Sequence, residues 1–239
     1  MRIAHLTHDD WADVDPRWMQ RPARRVAQRL GRLVVSYRSY GRERIPAEGG
    51  FLMAPTHGSY LDPFYYAYGT DRTVRFMAKH ESLEWPVAGR LIRWCGGFPV
   101  RPGHSGRDAL EIARHVVDAG NGLLIFMEGR IIREPSLGPP RKGLAVLALT
   151  TGVPVVPVAA WGNKSPVATG IERRWWQRRQ VTLVWGEPMS FPREERPSDQ
   201  RIEAVRDEIW AEVARLHELA RERHPERRRI PRVRARGRT

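Results

Sequence analysis

The sequence has one cysteine, Cys95, in 239 residues. No internal disulfide can form, and no nucleophile signature surrounds it, so a small buried residue is the simpler reading. No apolar run approaches the roughly 20 residues that a membrane-spanning helix needs. Val153–Trp161 is short and carries two prolines. The first 15 residues lack the apolar core of a secretory signal and hold Asp9, Asp10, Asp13 and Asp15 instead. A disulfide-stapled secreted module and a membrane-spanning protein are therefore disfavoured, and a cytoplasmic location is expected. Lysine and acid are also in short supply. The 41 basic residues are almost all arginine and outnumber 27 acidic ones, leaving a net charge of +14.

Such a charge seeks an anionic partner: nucleic acid, anionic lipid or a phosphorylated substrate. It is unevenly spread. Residues 221–239 contain nine Arg and two Glu, two prolines and almost no apolar side chain, and read as a disordered basic tail. Residues 16–38 read as a basic amphipathic helix. Val26, Leu30, Leu33, Val34 and Tyr37 keep the helical period on one side, and Arg21, Arg24, Arg25, Arg29 and Arg32 crowd the rest. Such a helix can lie in a membrane interface or pack on its own domain. The expected organisation is an N-terminal segment over 1–38, a globular domain over 39–220 and the tail over 221–239.

Within the globular part the period alternates. Phe51–Pro55, Thr73–Ala78, Gly97–Val100, Leu123–Met127, Val153–Trp161 and Val181–Trp185 read as strands. Helices are expected from Pro63, over Leu83–Trp94, after Ser105, over Lys142–Thr150, and after Ser198, where Ile202, Val205, Ile209, Val213, Leu216 and Ala220 form one apolar face. With 41% apolar residues this predicts a single α/β domain, its mostly parallel or mixed central sheet flanked by helices. Ligands of such sheets bind beyond the carboxyl ends of the strands. That rule points to residues 56–63, 97–102 and 128–143.

Each stretch holds unusual polar residues. His57 and Asp62 lie five positions apart, which on a regular helix would separate them by about 140°. They meet only if the chain turns, and Gly58 and Pro63 are residues that make it turn. An Asp on one ring nitrogen would fix the tautomer and leave the other nitrogen to take a proton from a hydroxyl. A structural loop histidine is the competing reading, and Ser59 is a rival nucleophile. Gly96 and Gly97 precede a short strand that ends at Arg101, whose guanidinium could grip a phosphate. Glu128, Gly129 and Arg130 follow the buried strand at 123–127, where a carboxylate can orient an arginine or an acceptor. No histidine has metal-ligand spacing to another, so no metal is expected.

Taken together, these clusters resemble the glycerophospholipid acyltransferase family, most closely its 1-acylglycerol-3-phosphate acyltransferases. Its N-H-x-x-x-x-D motif is matched by His57 and Asp62, with Thr56 in place of Asn. Lys79, Glu81, Leu83 (one position late), Pro86, Gly89, Gly96 and Arg101 follow its second region, K-x-E-L, P-x-x-G and G-x-x-x-x-R. Phe126, Glu128 and Gly129 match F-P-E-G-T-R-S, with Met127 for Pro and Arg130 for Thr. Val153–Val158 reproduces V-P-V-V-P-V in full. Lys142-Gly143 and Trp185–Pro188 look like family features as well.

The resemblance spans roughly residues 38–190. It implies His57 as general base, Asp62 orienting it, and Arg101, Glu128, Gly129 and Arg130 positioning a phosphate-bearing lysolipid acceptor. The acyl donor would be an acyl-coenzyme A or acyl carrier protein thioester, with no cofactor. The protein would sit peripherally on the inner face of an anionic membrane and bind no nucleic acid. Another lysophospholipid, glycerol 3-phosphate or a glycolipid is the alternative acceptor. A basic nucleic-acid-binding or non-catalytic membrane-binding protein is the alternative from a different class.

Overall fold

The strand Phe51–Pro55 (β2) has all five residues buried. Leu52 and Ala54 face one apolar cluster, Phe51 and Met53 the other. A strand buried on both faces needs a layer of cover on each side. The computed structural model supplies it. The structure describes residues 35–86, 88–94, 96–100, 106–134, 136–164 and 179–225.

Seven strands form one mixed sheet. They are Val35–Tyr40 (β1), β2, Val74–Lys79 (β3), Gly97–Val100 (β4), Gly122–Leu124 (β5), Val155–Trp161 (β6) and Arg179–Trp185 (β7). Their order is β1-β7-β6-β2-β5-β3-β4, and β6–β7 alone among the neighbouring pairs is antiparallel. Helix Asp62–Tyr68 (α1) covers one face through Tyr65, Tyr66 and Ala67. On the other face lie Gly106–Asp118 (α4), Gly143–Thr151 (α5) and Asp199–Arg223 (α6), after the short helices His80–Leu83 (α2) and Ala88–Trp94 (α3).

The helix ends follow the chemistry expected of them. Ser198 caps α6 by accepting from the Arg201 amide at 3.2 Å. Gly152 ends α5 at φ 71°, a left-handed position that a side chain would strain. The face of α6 buries Ile202, Val205, Ile209, Val213, Leu216 and Ala220. At roughly 1.5–3 kcal/mol for each large aliphatic side chain, it is a major contributor to the core.

Four expectations need correction. The helix expected over 16–38 cannot reach residue 38, because Val35–Tyr40 is strand β1, paired in parallel with β7. Val35-Ser36-Tyr37-Arg38 alternates as a strand does, with Tyr37 the one member of the expected helical face there, and residues 16–34 lie outside the described residues. The helix expected over 83–94 is two short pieces. The strand expected to run to Met127 stops at Leu124, and the chain turns at Phe126, whose carbonyl accepts from the Gly129 amide at 3.0 Å. The tail expected from 221 does not start there, and residues 226–239 lie outside the described residues. Arg221–Arg223 complete α6, with Arg221 6.0 Å from the Trp161 ring and Arg223 4.8 Å from the Tyr40 ring. His224 is buried 3.0 Å from the Thr182 hydroxyl.

The directions of the strands decide where a site can form. Strands β2 to β6 are linked by parallel pairs, so their carboxyl ends share one edge of the sheet. Residues 56–62, 125–142 and 162–164 leave from that edge. Among the described residues, no helix is long and apolar enough to cross a membrane.

Candidate active site

The chain leaves β2 at Pro55 and makes one tight turn before α1, with the Asp62 amide bonded to the Ser59 carbonyl at 3.1 Å. Asp62 is the first residue of α1 and is fully buried. Pro63 sits in the first helical turn, where its missing N–H costs nothing, rather than pushing Asp62 out of the helix. Oδ2 of Asp62 accepts from the amides of Gly58 at 2.6 Å and Ser59 at 2.8 Å, and it lies 3.2 Å from His57 Nδ1. Its Oδ1 accepts from Asn163 Nδ2 at 2.8 Å. A carboxylate buried this deeply needs hydrogen-bond donors, and this one has a donor on each oxygen.

His57 is half-buried. Its ring stacks on Phe126 with centroids 3.7 Å apart and 13° between planes. With Nδ1 held by Asp62 and one ring face covered, Nε2 is the nitrogen left to work. Ser59, the rival nucleophile, is tied into the turn, where its hydroxyl accepts from the Leu61 amide at 3.2 Å.

Thr56 stands where the family motif has Asn, and its hydroxyl is fully used. It accepts from the Ala160 amide at 3.1 Å and bonds the Tyr66 hydroxyl at 2.9 Å, and that hydroxyl in turn donates to the Thr56 carbonyl at 2.9 Å. Burial, and then the charge of Asp62, push the Tyr66 hydroxyl well above its ordinary pKa, so it stays neutral and remains a donor. This substitution is absorbed beneath the site.

Glu128 is placed differently from the expected acceptor-binding role. It is 3% exposed. Its Oε2 accepts from the His57 amide at 2.6 Å and its Oε1 from the Gly138 amide at 2.9 Å. Each oxygen therefore accepts from a backbone amide. Burial raises its carboxyl pKa, while those two amides and the nearby Lys164 pull it back. The His57 carbonyl accepts from the Ile132 amide at 2.8 Å, which closes the same clamp from the other side. The Gly129 amide is taken by Phe126, so it is not a free oxyanion donor. Gly129 itself sits at φ 63°, and a Cβ there would lie 2.5 Å from Arg141 Nε. Arg130 and Arg141 are exposed at this rim. Arg101 lies outside the described residues, as does Cys95. Among the described residues, no group of three or more His, Cys, Asp or Glu side chains could hold a metal.

Residues 36–161, more than half of the chain, match the family model described as Acyltransferase. The chain belongs to the acyltransferase family. Its relatives include the 1-acyl-sn-glycerol-3-phosphate acyltransferase of Streptococcus pneumoniae, 25% identical over 80% of this chain and 70% of the relative. The Bacillus subtilis protein of the same name is 24% identical over 74% of this chain and 86% of the relative. In fold, the chain is similar to the 1-acyl-sn-glycerophosphate (LPA) acyltransferase PlsC from Thermotoga maritima. The TM-score is 0.63 and the identity 24%, covering 84% of this chain and 80% of that one.

Two side chains of this acyltransferase's site were missed in the sequence. Asn163 and Lys164 follow β6 and are 1% and 5% exposed. They sit against Gly58, where an added Cβ would lie 2.6 Å from Lys164 Cγ and 3.2 Å from Asn163 Nδ2. Gly58 has no positive φ. It is needed for space, not for the turn. A signal was available: only three of the 41 basic residues are lysines, and Lys164 lies three residues past the apolar strand that ends at Trp161.

Proposed function

We propose that this protein transfers a fatty acyl group from a thioester to the free hydroxyl of 1-acylglycerol-3-phosphate, giving phosphatidic acid. The observation that carries the reading is the His57–Asp62 pair. Its carboxylate is buried and fully hydrogen-bonded, and its imidazole is fixed through Nδ1. The named relatives supply the acceptor class.

In this reaction His57 Nε2 takes the proton of the acceptor hydroxyl as its oxygen attacks the thioester carbonyl carbon. The new C–O bond forms, the tetrahedral intermediate collapses, the C–S bond breaks, and the proton on Nε2 passes to the departing thiolate. Asp62 holds the ring and stabilises the transient imidazolium. No acyl-enzyme is required, because the nucleophile comes with the substrate. Glu128 holds the His57 backbone at the height at which Nε2 meets the hydroxyl. Arg130 on the rim, together with Arg101, is assigned the acceptor phosphate. The donor is an acyl-coenzyme A or acyl carrier protein thioester. The protein works peripherally on the inner face of an anionic membrane, where its substrates and product reside.

The test is acyl transfer from a long-chain acyl-coenzyme A to 1-acylglycerol-3-phosphate in micelles, wild type beside His57→Ala. Turnover by the wild type and a loss of at least about 100-fold in the variant are expected. A variant that keeps its rate would sink the mechanism. A wild type active only on another lysophospholipid, on glycerol 3-phosphate or on a glycolipid would move the acceptor. The altered third motif at Met127 and Arg130 is the observation that keeps this second reading in play.

A further inference from the structure

Burying a lysine costs free energy unless its ammonium is both neutralised and hydrogen-bonded. Lys164 has partners of both kinds, although burial still outweighs them and lowers its pKa. Its Nζ donates to the Glu134 carbonyl at 2.6 Å and to the Ser136 carbonyl at 2.8 Å. Its charge faces Glu128 and Asp62 from within the protein. The two carbonyls belong to the stretch between β5 and α5, the one that carries Gly129 and Arg130. Asn163, its neighbour, donates to the Asp62 oxygen that the His57 turn leaves open. Gly162, at φ 85°, lets the chain leave β6 at this angle, since a Cβ there would lie 2.2 Å from the Gln180 carbonyl.

We propose that Asn163 and Lys164 are positioning residues with separate tasks. Asn163 fixes the Asp62 carboxylate, and through it the His57 ring. Lys164 straps the stretch that carries Glu134 and Ser136 to the end of β6, so that the rim meeting the acceptor is already formed before substrate arrives. The inference rests on the acyl-transfer reading for its kinetic consequences, and on geometry alone for the strap.

These tasks predict opposite kinetic signatures. Losing a group that orients the base removes transition-state stabilisation and lowers kcat. Losing a preformed acceptor rim weakens binding and raises KM. The experiment measures kcat and the KM values for 1-acylglycerol-3-phosphate and for the acyl-coenzyme A donor in wild type, Asn163→Ala and Lys164→Met, alongside amide hydrogen exchange of residues 131–134 and 136–138 in the same proteins without substrate.

Asn163→Ala should lower kcat at least about tenfold with little change in acceptor KM. Lys164→Met should raise acceptor KM at least about tenfold, leave donor KM unchanged and speed exchange in that stretch. If Lys164→Met does not fold, Lys164→Gln, which keeps a donor, carries the same comparison. Equal losses in kcat and KM for both variants would mean a merely structural role and overturn the proposal. Unchanged exchange in the Lys164 variant would overturn the strap. A wild type without turnover on any acceptor would instead overturn the acyl-transfer reading, and the exchange comparison would still decide the strap.

Discussion

His217 makes the folded state sensitive to acid in a way that can be calculated. It lies on α6, 4% exposed, with its ring 5.1 Å from that of Trp161. Its Nε2 is buried without a hydrogen-bond partner among the described residues. Burial, followed by the positive charges of Lys164 and Arg221, lowers its pKa from 6.5 to about 4. The unfolded chain therefore binds a proton at this residue that the folded chain refuses. The stabilisation is fully present above the unfolded value and is lost as pH falls from about 6.5 toward 4. The loss is about 2 kcal/mol by about pH 5 and about 3 kcal/mol once both states are protonated. The assay is urea unfolding at about pH 7.5 and pH 5, wild type beside His217→Leu, which keeps the site apolar. Other titrating groups cancel in the difference. The wild type should lose about 2 kcal/mol more than the variant across that interval. Parallel losses in the two proteins would refute the reasoning, because they would place the acid sensitivity elsewhere.

Glu128→Ala should leave the part-buried amides of His57 and Gly138 without this acceptor, at up to about 1–3 kcal/mol each, seen as a lower thermal midpoint together with reduced turnover. A fall in turnover with unchanged stability would instead point to a direct role for the carboxylate. Residues 226–239 contain seven arginines and one glutamate, and each cation near an anionic surface contributes about 1 kcal/mol. Deleting 226–239 should weaken sedimentation with anionic liposomes, and raising salt should weaken the full chain. Equal binding by both proteins would give the segment another task. The cut falls after residue 225 because Arg221, Arg223 and His224 belong to the fold.

Much of this protein could be read from its sequence because the relevant signals are local. The alternating apolar runs gave five of the seven strands close to their positions, since a strand's burial pattern is written in its own residues. The Ser198 cap and the apolar face of α6 were legible for the same reason, and the motif spacing singled out His57 and Asp62. Tertiary structure decided what depends on neighbours distant in the chain. Val35–Tyr40 is a strand because β7, more than a hundred residues away, offers it a ladder. Val35–Arg38 alternate apolar and polar as a strand does, and only Tyr37 there belongs to the helical period read over 16–38. Glu128 became a backbone clamp because the turn after β5 aims it into the protein, which no residue type reveals. Gly58 serves space rather than conformation, a distinction visible only once Asn163 and Lys164 stand beside it. Those two residues complete the site because β6 lies parallel and adjacent to β2. Their side chains thus arrive at the same edge as His57, brought there by strand order and not by any spacing along the chain.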